Sequence, residues 1–218
     1  LKPCLDVINE LVENFGCTAV LCTATQPTLN KKRFLKRSAL KNVIEIISDP
    51  EALYLALKRV KLTFVNNPLK NIDIAKKAHL QHQVLIIVNT RKDAREIFEY
   101  LQDLEDVESI FHLSTYMCSI HRNQVLKTIK KRLAENLTCK IVSTQLIEAG
   151  VDIDFPVVFR AVAGLDSIAQ AAGRCNREGK LEHGEVYVFK SENPPPPGHL
   201  RQSAESGEKI LQEHYKDP

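Results

Sequence analysis

No apolar run in these 218 residues approaches the ~18 that a membrane-spanning helix needs. No signal-peptide pattern opens the chain, which starts at Leu1 without a Met. That start is expected of a processed product or of part of a longer polypeptide. The six cysteines, Cys4, Cys17, Cys22, Cys118, Cys139 and Cys175, form no C-x-x-C pair, and several sit in apolar runs. Buried, reduced thiols in a cytoplasmic protein are therefore expected, rather than a disulfide framework or a zinc site. No G-x-x-x-x-G-K-[ST] loop and no Asp-Glu-x-[His/Asp] box is present, so nothing here grips a nucleoside triphosphate or its Mg²⁺ unaided. No repeat of solenoid period is visible. A net charge of only +3 does not by itself demand a polyanionic partner; any such partner must be argued from local patches. What the chain does have is apolar content: 44% hydrophobic residues suffice for a buried core.

Periodicity organises the chain. Residues 4–14 place Leu5, Ile8, Leu11 and Val12 at helical intervals, with Gly16 as a stop. TAVLCTAT (18–25) and NVIEII (42–47) read as strands, and EALYLALKRV after Asp49-Pro50 reads as a helix. From LTFV (62–65) onward, strands and helices alternate. Helices are predicted over 71–82, 91–102, 119–135 and 167–175. Strands are predicted over 84–88, 108–114, 139–143, 157–162 and 185–189. That alternation implies an α/β fold: a mostly parallel sheet with helices on both faces. A run of four prolines (194–197) suits an extended linker, and a terminal helix is predicted over about 201–215.

In such sheets ligands bind at the carboxyl ends of the strands, so the residues following each strand carry the information. Four polar clusters stand there: Thr23-Ala24-Thr25, Asn89-Thr90-Arg91, Ser143 to Asp154, and Gln170 to Arg177. All four are expected on one rim. If QAAGRCNR is helical, Gln170, Gly173, Arg174 and Arg177 share a face. Gly173 would then allow another surface to approach closely, and two guanidiniums could clamp a polyphosphate. The alternatives are a surface helix with solvated arginines, and a helix capped by the Ser167/Gln170 spacing. In STQLIEAGVDIDFP, Ser143 and Thr144 end a buried strand, Gly150 permits a tight turn, and Asp152 can accept from a ribose hydroxyl.

Thr23-Ala24-Thr25, Ser143 to Asp154 and Gln170 to Arg177 resemble motifs III, V and VI of superfamily 2 helicases. QAAGRCNR, LSTYMCSIHR (113–122) and HLRQSAESG (199–207) further resemble the helicase portion of the CRISPR-associated helicase-nuclease of type I systems. Asn176 stands where many members carry glycine, and Tyr116 where an arginine is the pattern. The resemblance implies a RecA-like, P-loop-type fold divided into four segments. Residues 1–27 would be the tail of a first RecA-like domain and 28–60 a connector. Residues 61–193 would form the second RecA-like domain, and 194–218 a proline linker with its terminal helix. It implies Arg174 and Arg177 as arginine fingers helped by Gln170, and Gly150, Asp152 and Gly173 beside ATP. Thr23, Ala24 and Thr25 would couple hydrolysis to domain movement. Asn89, Thr90, Arg91, Ser143 and Thr144 would hold a DNA backbone. ATP and Mg²⁺ would be gripped mainly by the first domain, leaving this chain inactive alone. The implied partners are that first domain, a nuclease domain, single-stranded DNA and a CRISPR RNA-guided surveillance complex.

Two basic stretches remain, Lys31–Lys41 and Arg122–Arg132. The first reads as a solvated connector or a DNA contact, the second as DNA-side electrostatics or an ordinary exposed helix face. His79 and His82, on an amphipathic helix, are expected at the surface or in packing rather than on a metal. A non-catalytic RecA-like binding module and another superfamily 2 (RNA) helicase are the competing readings of the whole chain.

Overall fold

The structure is a computed structural model that describes residues 2–22, 40–147 and 151–214. It comprises two compact units, residues 1–58 and 59–218. In the first, helix α1 (Lys2–Asn14) ends in a turn at Gly16, whose φ of 63° suits glycine. The Cys17 amide reaches back to the Leu11 carbonyl at 3.2 Å and closes that turn. Helix α2 (Pro50–Ala56) starts where Asp49 caps it, its Oδ1 accepting from the Ala52 amide at 3.0 Å, with Pro50 in the first turn.

The second unit is a six-stranded sheet in the order β1-β6-β5-β2-β4-β3, with every pairing parallel. Its strands are β1 (Val60–Leu69), β2 (Gln83–Ile87), β3 (Ile110–Leu113), β4 (Cys139–Ser143), β5 (Val157–Ala161) and β6 (Gly184–Ser191). Its helices are α3 (Asn71–His79), α4 (Arg91–Gln102), α5 (Ser119–Ala134), α6 (Leu165–Ala172) and α7 (His199–Glu213).

The apolar strands are buried on both faces because helices cover both. In β2, Val84 and Ile86 face Ile74, Ala78 and Ile97 of α3 and α4. Leu85 and Ile87 face the opposite core, with Ile129 of α5, Ile168 of α6, and Ala204 and Leu211 of α7. The period-two alternation of β2 thus feeds two cores. Each fully buried side chain of this size contributes roughly 1.5–3 kcal/mol. Two charges sit inside the sheet, and each has partners. Lys140 in β4, 2% exposed, pairs with Glu105 and donates to the His79 carbonyl at 2.5 Å. Arg160 in β5, fully buried, donates from Nη1 to Asn89 Oδ1 and to the Ala161 carbonyl, each at 2.9 Å.

Several expectations are corrected. Residues 42–47 and 18–22 form no strand; Ile44 and Ile46 are 84% and 77% exposed. An apolar, β-prone run becomes a strand only where an edge pairs with it. Thr23, Ala24, Thr25 and most of the Lys31–Lys41 run lie outside the described residues. Lys41 itself pairs with Glu13 at 2.7 Å. Cys139 and Cys175 are buried, but Cys4, Cys17, Cys22 and Cys118 are exposed free thiols. Among the described residues, no helix is long and apolar enough to cross a membrane.

Candidate functional site

All carboxyl ends of a parallel sheet open on one edge, and there the loops after β2 and β4 bound an open groove of about 480 Å³. Arg91, Thr115, Thr144 and Gln145 line it, with Pro196 of the proline run on its margin. Of the five residues expected to hold a nucleic-acid backbone, the side chains of Asn89, Thr90 and Ser143 are instead committed to the protein. Asn89 donates to the Val162 carbonyl at 2.8 Å and accepts from Arg160, stitching the end of β2 to that of β5. Thr90 caps α4, accepting from the Asp93 amide at 3.0 Å and donating to Asp93 Oδ2 at 2.5 Å. Ser143 is fully buried and donates to the Leu113 carbonyl at 3.2 Å. Strand ends outrun their ladder, and polar side chains there satisfy backbone groups that the ladder no longer reaches. Arg91 and Thr144 stay on the rim. The Arg91 guanidinium lies over the Tyr116 ring, 4.2 Å from its centroid.

Asp93 was missed by the sequence reading. It is 2% exposed and also accepts from Asn71 at 3.1 Å and Asn193 at 2.8 Å. It ties the start of α3 and the segment entering the proline run to the loop of Thr90. The T-x-x-D spacing was the available signal.

The arginine cluster departs from its expected form. Helix α6 stops at Ala172, so GRCNR is not helical, and neither Ser167 nor any other side chain caps the helix start at Gly164. The stretch instead docks on the residue that leads into β5. The Phe155 amide donates to the Arg174 carbonyl, and the Asn176 amide to the Phe155 carbonyl, both at 2.9 Å. Buried Cys175 is bridged to Phe155. Asn176 has φ 46°, in the left-handed region that glycine and asparagine tolerate. Its amide nitrogen donates to the carbonyls of Arg59 (3.0 Å) and Leu181 (2.8 Å), and its oxygen accepts from the Leu181 amide at 3.0 Å.

That anchor presents the two guanidiniums. Arg177 Nη1 lies 3.2 Å from Asp152 Oδ1, in a pair whose side chains are 44% and 74% exposed. Its backbone is gripped at both ends: the amide donates to Asp154 Oδ1 at 2.7 Å, and the carbonyl accepts from Arg59 at 2.6 Å. Arg59 and Asp154 were not singled out from sequence. Arg174 is half-buried, with Nε on the Ile147 carbonyl at 3.2 Å. Burial and then the like charge of Arg177 lower the pKa of Arg174 from its ordinary value, and Asp152 opposes this in part. A guanidinium stays charged at neutral pH regardless. Gly150 lies outside the described residues, but Arg174 and Arg177 touch Ile147 and Asp152 on either side of it.

The single rim is therefore replaced by two places. Asn89, Thr90, Arg91 and Thr144 stand at the carboxyl ends of the strands. Arg174, Arg177 and Asp152 stand with the loop returning to the amino end of β5. The cause is geometric: the eight residues of α6 run back across the sheet and carry the arginines about 12 Å. Gln170 is half-buried on the last full turn of α6. Gly173 has ordinary helical backbone, and a Cβ there would meet only carbonyl oxygens at 3.4 and 3.5 Å. The fold alone does not require glycine at that position.

The histidines serve the scaffold: His79 Nδ1 lies 2.5 Å from Glu105, and His82 Nε2 lies 2.8 Å from the Asn136 carbonyl. Among the described residues no group of three or more His, Cys, Asp or Glu side chains is placed to hold a metal ion.

A wholly parallel sheet in this order, covered by helices on both faces, is an α/β fold of the RecA-like type. Residues 80–180 match the family model described as CRISPR-associated nuclease/helicase Cas3, C-terminal. Among curated proteins, the chain is 29% identical over 198 residues to the CRISPR-associated nuclease/helicase Cas3 of Methanothermobacter thermautotrophicus, covering 85% of this chain and 23% of that protein. It is 44% identical over 88 residues to the Cas3 of Haloferax volcanii, covering 35% and 9%. Among solved structures, T. fusca Cas3 with ADP matches at TM-score 0.54 and 20% identity, over 68% of this chain and 20% of that one, a likeness of fold. The chain thus spans less than a quarter of the length of these curated relatives. Together these findings make the chain similar to the C-terminal helicase region of Cas3 proteins.

Proposed function

We propose that this domain is the ATP-sensing half of a motor that moves along single-stranded DNA in CRISPR interference. The observation that carries this reading is the pair Arg174 and Arg177, held 3.2 Å from the Ile147 carbonyl and from Asp152 respectively. Arg177 is anchored through its backbone and, among the described residues, its head pairs with an exposed carboxylate. An exposed ion pair of that kind is worth about 0–1 kcal/mol, so a polyphosphate can displace Asp152 at little cost. A rigid base with a releasable head is what an arginine finger requires.

In the complete motor, a first RecA-like domain would grip ATP and Mg²⁺, and Mg²⁺ would neutralise charge on the β- and γ-phosphates. This chain's residues do the rest. On closure Arg174 and Arg177 stabilise charge developing on the γ-phosphate, Gln170 orients the phosphates, and Gly150, Asp152 and Gly173 lie against the nucleotide. Thr23, Ala24 and Thr25 couple closure to movement. Arg91 and Thr144, with backbone amides near Thr90 and Ser143, hold the DNA backbone in the groove at the carboxyl ends of the strands, while Asn89 shapes that rim. An attached nuclease domain and a CRISPR RNA-guided surveillance complex are the partners this reading carries. A purely adaptor role is less well supported, since it has no use for two poised guanidiniums.

The test compares ATP turnover by this chain with turnover by a polypeptide that also includes the first RecA-like domain, both with Mg²⁺ and single-stranded DNA. The chain alone is expected to be inactive and the longer polypeptide active. Magnesium-dependent turnover by the chain alone would overturn the division of labour.

A further inference from the structure

We propose that Tyr116, with the guanidinium of Arg91, forms a stacking platform for one base of a DNA single strand lying in the rim groove. The inference rests on the nucleic-acid reading of that groove and adds what it does to a base.

Tyr116 is 80% exposed, so its ring is open to a partner. It follows Thr115, which lines the groove, and its ring stands beneath Arg91, which lines the groove from the other loop. Both backbones are fixed. Arg91 opens α4 immediately after Thr90, whose hydroxyl is locked to Asp93. Tyr116 sits in a turn in which its amide donates to Ser114 Oγ at 3.3 Å and the Met117 amide to the Ser114 carbonyl at 3.1 Å. The pair is therefore held together beside the groove, with the guanidinium carbon over the ring at 4.2 Å from its centroid.

An arginine at position 116 would have offered a charged phosphate contact, where tyrosine offers a single neutral hydroxyl donor. The tyrosine ring offers a π-face, and Arg91 offers a flat cation that can carry a base on its outer side or yield its place over the ring to one. Both arrangements recognise any base and neither reads sequence, which suits a protein that must pass along a strand. The alternative is that the stack merely pins the loop after β3, and the two roles separate cleanly.

The chain is titrated with a fluorescent oligodeoxynucleotide and with the same strand carrying a run of abasic sites, at constant salt, by anisotropy. The unsubstituted chain is expected to prefer the base-bearing strand by about tenfold. Tyr116→Ala should erase that preference while leaving affinity for the abasic strand intact; Tyr116→Phe should keep it. Loss of affinity for both strands alike on Tyr116→Ala would mean that the ring only shapes the loop, and would overturn the platform. Binding of both strands equally by the unsubstituted chain would also overturn it while leaving the groove's phosphate role standing. No binding of either strand would overturn the nucleic-acid reading of the rim together with the platform. A strand carrying 5-iododeoxyuridine should photocrosslink to Tyr116, and a crosslink found only elsewhere would contradict the assignment.

Discussion

Asn176 shows how one side chain can hold a whole stretch of chain, here the one that bears Arg174 and Arg177. Its three hydrogen bonds join the start of β1, the turn at Leu181 and the arginine stretch, while its backbone takes a conformation most residues resist. Asn176→Ala should lower stability by roughly 3 kcal/mol, from lost buried hydrogen bonds and from strain at positive φ. Asn176→Gly removes the bonds but not the tolerance, and should cost less; urea unfolding of both variants checks the order. His112 carries a pH signature. Burial against Phe98, with ring centroids 5.4 Å apart, lowers its imidazole pKa from the ordinary 6.5. The folded state therefore disfavours the imidazolium. Its contribution to stability is complete above pH 6.5 and lost as pH falls through the lower folded value. His112→Phe should flatten the unfolding free energy over that acid range, and an unchanged slope would remove His112 as its source. The thiols separate too: burial pushes Cys139 and Cys175 up to about 12, whereas the other four are exposed. Under native conditions iodoacetamide should label only Cys4, Cys17, Cys22 and Cys118, as read by mass spectrometry. At this scale, the residue types at the site were legible in sequence, but their commitments were not. That Asn89 and Ser143 spend their side chains on carbonyls 73 and 30 positions away depends on which strands become neighbours.

Among the elements, α4 falls on residues 91–102 as periodicity predicts, because Thr90 caps it and the apolar stripe of Ala94, Ile97 and Leu101 is unambiguous. Helix α6 is different. Nothing local in AAGRCNR forbids a further turn; the helix stops because Phe155 captures the backbone of Arg174 and Asn176, and that contact spans about twenty residues of sequence. The runs 18–22 and 42–47 fail for the converse reason, since strand propensity without a paired neighbour yields no strand. The terminal helix has its own requirement. Gly207 of α7 lies so close to the sheet that a Cβ would fall 2.1 Å from the Ala163 carbonyl oxygen. Gly207→Ala should displace α7, exposing Ala204 and Leu211, at a cost of about 1–3 kcal/mol. Proteolysis should then cut ahead of α7 sooner than in the unsubstituted chain, and an unaltered rate would show that the helix adjusts freely.

For the whole molecule, a single feature organises function. One parallel sheet places a groove at the carboxyl ends of its strands, and one short helix carries two arginines back toward the other side. Alternating patterns in the sequence made the layered α/β architecture readable, and the motifs made its resemblance to Cas3 proteins readable. The separation of the two sites needed coordinates, because it depends on the direction of α6 across the sheet. The proposed division of labour assigns nucleotide and strand to different parts of this unit. The central claim is that the Arg177 guanidinium completes an ATP site held by a first RecA-like domain. The most direct measurement is DNA-stimulated ATP turnover by the polypeptide containing both domains, with Arg177 and with Arg177→Ala. A fall of about 10³- to 10⁵-fold with an unchanged unfolding transition is the predicted result; turnover within a fewfold of the unsubstituted polypeptide would contradict it.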